Sequence, residues 1–258
     1  MIPYKPIHTI SIGSVTIFVW GLFFALAFIF GIYIAVYFAK KRNLSAEHAY
    51  NLSFAILLGA IIGGRLGYVF AYLDRFHSFL DIFKVWEGGM TFHGGLIGGI
   101  LFCWVYMNWK KISYWVYFDV FAPSVALGYA ITRIGCLLIG DHLGMITQVP
   151  WAIYYGGAPR HPVAFYHMSA ALLIFVLLVY VEKTKKIGKL HYFPGLSFSL
   201  LIGFYGFTRF FVEFFREESR YYGFDLAQYI SILMVFIGLF MFHVSRRKHV
   251  KQHTKQKF

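Results

Sequence analysis

The sequence predicts an all-α integral membrane protein: a seven-helix bundle with its N-terminus outside and its C-terminus in the cytoplasm. Three observations predict it. The 258 residues are 59% hydrophobic and 21% aromatic, with a mean hydropathy of +0.62, so too little polar surface is available to dissolve a globule and the apolar surface must face lipid. Seven apolar runs are long enough to be spans. Basic residues gather at alternate ends of those runs.

The spans fall at roughly 14–38, 50–73, 92–109, 115–139, 163–181, 194–214 and 226–244. A helix crossing the hydrocarbon needs about 20 residues, and lipid offers no partner to an open backbone group, so each run reads as a helix. The first run is long and lacks a charged leader, which makes it a span rather than a cleaved signal peptide. Span two carries Gly59, Gly63, Gly64 and Gly67, and span three carries Gly94, Gly95, Gly98 and Gly99. Small residues at that spacing let helices approach closely. Residues 1–245 then form the membrane domain, with 141–162 a short outside head segment and 246–258 a basic cytoplasmic tail. Segments 1–12 and 74–87 read as arms on the outer surface.

Of 24 Lys and Arg, 15 follow spans one, three, five and seven, from Lys40 to Lys257. These are the cytoplasmic ends by the positive-inside rule. The net charge of +13 therefore reflects topology and attraction to anionic lipid, not nucleic-acid binding.

The basic residues outside that pattern carry the functional signal. Lys5, Arg75, Lys84 and Arg160 fall in outside loops, while Arg65, Arg133 and Arg209 lie within spans near their outer ends. An intramembrane arginine costs at least about 2.5 kcal/mol, so three of them imply anionic company. In "GFYGFTRFFVEFFREE", Tyr205, Arg209, Glu213 and Arg216 are four, four and three residues apart, which on a continuous helix forms one narrow stripe. One reading is a salt bridge that fixes helix packing. The other starts from the surplus: two cations face one carboxylate, and Arg65 and Arg133 add more. Spare guanidiniums beneath the outer boundary suit a phosphodiester, which arginine holds bidentately, and a phospholipid headgroup supplies one there.

His93, in "GGMTFHGGLIGG", is either a proton carrier or an interfacial histidine bonded to a carbonyl. His93, Asp141, His142, His161 and His167 match no zinc pattern by spacing. Cys103 and Cys136 both lie in apolar runs, so no disulfide framework or zinc site is expected. Cys136 reads as a small buried residue rather than a nucleophile. Asp119 sits near the inner end of span four, where a structural role is expected. The inner halves are otherwise nearly uncharged, against a transport path.

The runs "GGRLGYVF" (63–70), "GGMTFHGGLIGG" (88–99), "FDVFAPSVALGYAITRIG" (118–135) and "YGFTRFFVEFFREE" (205–218) resemble the phosphatidylglycerol–prolipoprotein diacylglyceryl transferase family, over most of the chain. The resemblance implies transfer of a diacylglyceryl group from phosphatidylglycerol to the lipobox cysteine thiol of a prolipoprotein, with glycerol phosphate leaving. It implies catalytic roles for His93, Arg133, Arg209, Tyr205 and Glu213. Substrate contacts are implied at Arg65, Tyr68, Gly94, Gly95, Asp141, Gly144 and Arg216. No metal or organic cofactor is expected. The implied partners are phosphatidylglycerol, the signal-peptide region of the prolipoprotein and membrane lipids. The implied location is the bacterial cytoplasmic (inner) membrane.

The sequence also departs from the family pattern. In "TRIGCLLIGDHLG" (132–144), Cys136 and Ile139 stand where the family has asparagines, and Asp141 stands for a glutamate. In "HPVAFYH" (161–167) a serine, a glutamine and a glutamate of the family pattern are absent, and Trp20 replaces a usual tyrosine. Each lost amide removes donors and an acceptor that orient a headgroup. Two readings remain open: a divergent transferase with a changed acceptor or donor, and an inactive relative that binds phospholipid or the lipoprotein precursor.

Overall fold

A computed structural model describes residues 2–76, 78–84, 88–188 and 190–255. Among them are seven α-helices: α1 (Val19–Lys41), α2 (Ala46–Ala71), α3 (Phe92–Trp109), α4 (Tyr114–Ile139), α5 (Val163–Thr184), α6 (Leu196–Val212) and α7 (Leu226–Lys255). Six of them are long and apolar enough to cross a membrane, α6 doing so with the 3-10 turn that extends it to Phe215. The 18 residues of α3 include His93, four glycines and Asn108, and it is not among the six. Large apolar side chains such as Phe30, Leu173, Phe236 and Phe240 stay exposed, as a lipid-facing surface requires. The chain therefore belongs to the all-α membrane class.

Three boundaries differ from the sequence reading. The first helix begins at Val19, because residues 15–18 pair in a hairpin, β2 (Thr9–Ile12) with β3 (Val15–Phe18), that turns at Gly13 with φ +62°. The rest of the first arm enters a small sheet: β1 (Ile2–Pro3) runs parallel to β4 (Ile153–Tyr155), which pairs antiparallel with β5 (Ala158–Arg160). The last helix continues to Lys255, so the backbone of the expected basic tail is helical from Arg246 onward to that point. The arm expected at 74–87 contains two 3-10 turns, Leu73–Arg75 and Phe79–Phe83; His77 and residues 85–87 lie outside the described residues.

By contacts the chain divides into two units, residues 39–114 and residues 1–38 with 115–258. The first is built on α2 against α3, and glycine makes that contact possible. A Cβ on Gly63 would meet Gly98 Cα at 2.8 Å, and one on Gly98 would meet Gly63 Cα at 2.9 Å. Gly94 also lies against the backbone of Gly63, and Gly95 against the Ala60 carbonyl. Close backbone approach of this kind raises dispersion contact where lipid gives no hydrophobic drive.

In the other unit α6 packs on α7 by the same device: a Cβ on Gly206 would sit 2.6 Å from the Ser231 carbonyl oxygen. Asp119 accepts three hydrogen bonds, from Tyr192 Oη at 2.6 Å, Gly195 N at 2.7 Å and Phe198 N at 2.9 Å. A buried carboxylate satisfied by three donors ties α4 to the start of α6. Glu182 does likewise for α5, accepting from Ser197 Oγ at 2.6 Å and Lys185 Nζ at 3.0 Å.

Candidate functional site

Two tyrosine–arginine pairs define the site. On α4, Tyr129 lies four residues before Arg133, and the guanidinium carbon stands 4.7 Å from the ring centroid. On α6, Tyr205 lies four residues before Arg209, which donates from Nη1 to the Tyr205 oxygen at 2.6 Å. The two phenol rings meet edge to face at 5.2 Å. Both pairs use the four-residue spacing that stacks side chains on one helical face. The quadrupole of each ring supports the adjoining cation.

The anionic company predicted for the arginines is uneven. Glu213 is wholly buried and is shared: Arg209 Nε stands 3.3 Å from its Oε1, and Arg216 Nη1 stands 3.1 Å from its Oε2. Arg216 also reaches Glu218 with Nη2 at 2.5 Å. Arg133 has no carboxylate within ion-pair distance among the described residues. Its Nη1 points at Cys136 Sγ from 3.9 Å, and its buried Nε has no hydrogen-bond partner. Arg209 Nε, although near Glu213, also lacks a hydrogen bond. Unspent donors of this kind are what an incoming phosphate would complete.

Arg216 reaches the cluster by a different path from the expected helical stripe. α6 ends at Val212, Glu213–Phe215 tighten into a 3-10 turn, and Arg216 leaves extended with φ −90° and ψ 147°. Its backbone is held by an antiparallel bridge to Gly144, with Met145 N donating to the Phe215 carbonyl at 2.8 Å. A side chain at Gly144 would press a Cβ to 2.7 Å from His161 Cβ and against the Phe215 carbonyl. Gly144 therefore acts by admitting the strand that delivers Arg216. Arg160 braces the same corner, donating to the Gly144 carbonyl at 3.2 Å and pairing with Glu217 at 2.7 Å.

Asp141 follows the end of α4. Gly140 (φ +75°) and His142 (φ +58°) turn the chain there. Asp141 Oδ1 accepts from His142 N at 2.9 Å, its Oδ2 stands 3.2 Å from His142 Nε2, and Arg216 Nη2 lies 3.4 Å from His142 Nδ1. Burial holds the His142 pKa below its ordinary value, against Asp141, which pulls it upward; the Arg133, Arg216 and Arg209 charges push the same way as burial. The imidazole is accordingly neutral at physiological pH.

The other residues expected at the site lie in the 39–114 unit. Arg65 is buried and spends its donors on backbone: Nε to the Ile82 carbonyl at 2.8 Å, Nη1 to Gly88 at 2.6 Å and Gly89 at 3.1 Å, and Nη2 to Asp81 at 2.6 Å. Four carbonyls in place of a carboxylate satisfy this guanidinium, so Arg65 ties Asp81 and Ile82 to Gly88 and Gly89. Tyr68 accepts from Arg75 Nη1 at 2.8 Å, and with Arg65, Arg75 and Phe76 it lines a cleft of about 270 Å³. His93 stands exposed in the first turn of α3, edge to face with Phe92 at 5.7 Å, and makes no hydrogen bond among the described residues. Gly94 and Gly95 are packing residues of the α2–α3 contact.

Sequence reasoning missed Tyr129 and weighed the buried His167, whose ring meets Tyr129 edge-on at 6.2 Å, only as a metal ligand. A signal for Tyr129 was present: "YAITR" (129–133) and "YGFTR" (205–209) repeat one pattern.

With this geometry in place, similarity to known proteins becomes informative. The family described as prolipoprotein diacylglyceryl transferase matches residues 7–244. A phosphatidylglycerol–prolipoprotein diacylglyceryl transferase of Geobacter sulfurreducens is 37% identical over 243 residues, covering 89% of this chain and 91% of the relative. The enzyme of the same name from Vibrio parahaemolyticus is 34% identical, covering 96% of this chain and 93% of the relative. The one from Pasteurella multocida is 37% identical, covering 86% and 83%. The chain belongs to the prolipoprotein diacylglyceryl transferase family.

Proposed function

We infer that the protein transfers a diacylglyceryl group from phosphatidylglycerol to the lipobox cysteine thiol of a prolipoprotein, releasing glycerol phosphate. The observation that carries this reading is Arg133, a half-buried guanidinium without a carboxylate among the described residues, in the same unit as Arg209 and Arg216, which share one buried carboxylate. The thiolate attacks the glyceryl carbon that bears the phosphate oxygen, a C–S bond forms, and the C–O bond breaks with its electrons moving to the departing phosphate. Arg133 and Arg209 stabilise the charge growing on that oxygen, which is the largest contribution such a site can make. Tyr205 orients Arg209 through its 2.6 Å hydrogen bond, Glu213 holds Arg209 and Arg216 together, and Arg216 and Asp141 contact the polar parts of the substrates. The family resemblance gives His93, which makes no hydrogen bond among the described residues, the removal of the thiol proton. Within residues 39–114, Tyr68 is read as a substrate contact, and Arg65 is held by the Ile82, Gly88 and Gly89 carbonyls.

In this reading α3 is the seventh span, the N-terminus faces outside, the C-terminus faces the cytoplasm, and the membrane is the bacterial inner membrane. The alternation of lysine and arginine along the sequence supports the orientation. Residues 1–245 form the membrane domain, with 141–162 its outside head segment.

Incubating the purified protein with phosphatidylglycerol and a lipobox peptide tests the assignment. The peptide is expected to gain the mass of one diacylglyceryl group while phosphatidylglycerol loses glycerol phosphate, more slowly than with a family member that carries the asparagines, because Cys136 and Ile139 lack the orienting amides. Lipid binding with no mass gain would overturn the activity in favour of an inactive relative.

A further inference from the structure

The turn after α4 brings together three side chains that the transfer chemistry does not need as a set. Cys136 Sγ, Asp141 and His142 offer ligand atoms that all lie within 4.8 Å of one another. We propose that Cys136, Asp141 and His142 form a binding site for a divalent cation of zinc type, and that loading it lowers transfer.

The donor set is a thiol, an imidazole and a carboxylate, the combination that selects zinc over calcium or magnesium. With zinc–sulfur near 2.3 Å and zinc–nitrogen or zinc–oxygen near 2.0–2.2 Å, the edges of a tetrahedral site are about 3.3–3.6 Å. His142 Nε2 and Asp141 Oδ2 already stand 3.2 Å apart, so a rotation of the thiol completes the face. Three protein ligands leave a fourth position for water or an anion, the arrangement of an open zinc site. Thiolate and carboxylate together balance the charge of the cation, and Arg133 Nη1 stands 3.9 Å from the sulfur. The same arginine opposes the cation, so the site is expected to be of modest affinity and readily emptied by a chelator.

Inhibition follows from the imidazole. Nδ1 of His142 now faces Arg216 Nη2 at 3.4 Å, an accepting position. A neutral imidazole that binds a cation through Nε2 carries its proton on Nδ1. Nδ1 and the guanidinium would then both be donors, so Arg216 must withdraw from its place beside Glu213. Asp141 is taken from the substrates at the same time. This consequence, unlike the cation site itself, rests on the transferase reading.

Cobalt titration of the purified protein without lipid tests the site independently of activity. One equivalent is expected to bind with a thiolate-to-cobalt charge-transfer band that zinc displaces. Cys136→Asn should remove the band, His142→Gln should weaken binding at least tenfold, and Cys103→Ser should change neither. Absence of the band, or its persistence in Cys136→Asn, overturns the site. Should Cys136→Asn fail to fold, His142→Gln decides: unchanged affinity overturns it. In the peptide assay, zinc should reduce transfer by wild type at least fivefold and leave Cys136→Asn unaffected. Equal inhibition of both, or none of wild type, overturns the regulatory part.

Discussion

Arg209→Ala is expected to reduce transfer by about 100- to 1000-fold while leaving the protein folded in membranes. Removing one preorganised donor from a developing oxyanion costs about 2.7–4 kcal/mol. Arg209 also cannot be replaced by its neighbours: Tyr205 loses its 2.6 Å partner, and Arg216 reaches Glu213 from the opposite end of the 3-10 turn. Folding survives because Glu213, wholly buried, keeps Arg216 at 3.1 Å and is not left as an uncompensated charge. The mass-gain assay on vesicles reads the rate, and the thermal transition in detergent reads the fold. Turnover within threefold of wild type would remove Arg209 from the catalytic group.

Gly63→Val is expected to give the largest loss of stability of any single change considered. Its Cβ would sit 2.8 Å from Gly98 Cα and overlap the Gly94 carbonyl. Both obstacles are backbone, so no rotamer change relieves them, and α2 and α3 must separate along their whole contact. Overpacking typically costs about 1–3 kcal/mol where side chains can yield, so about 3 kcal/mol or more is expected here. Gly21→Val makes the control: it also puts valine in a spanning helix, but a Cβ there meets nothing within 4 Å. If the two variants melt together in detergent, the glycine contact does not hold this unit.

Much of this was legible in the sequence, and the reasons differ by element. Helices announce themselves because a spanning segment must be continuously apolar. Strands β1 to β5 are two to four residues long, too short for alternation to stand out, and β3 therefore reads as the start of the first helix. Tyr205, Arg209 and Glu213 were legible because α6 and the residue that caps it carry them at four-residue spacing. Arg216 was expected on the same helical stripe, but an extended segment bridged to Gly144 brings it to Glu213 instead. Arg65 has carbonyl partners where anionic company was expected, and carbonyls leave no trace in a sequence. The grouping of Cys136 with Asp141 and His142 depends on left-handed residues at 140 and 142, and spacing alone does not reveal such a reversal.

The account rests on a guanidinium held ready for a lipid phosphate, and Arg133 is where it is most exposed to test. Native mass spectrometry of the purified protein titrated with phosphatidylglycerol, wild type against Arg133→Gln, measures this directly. A charge-assisted contact of about 1.5–3 kcal/mol predicts that Arg133→Gln binds the lipid at least tenfold more weakly while retaining its fold. Equal retention of phosphatidylglycerol by the two proteins would contradict the account.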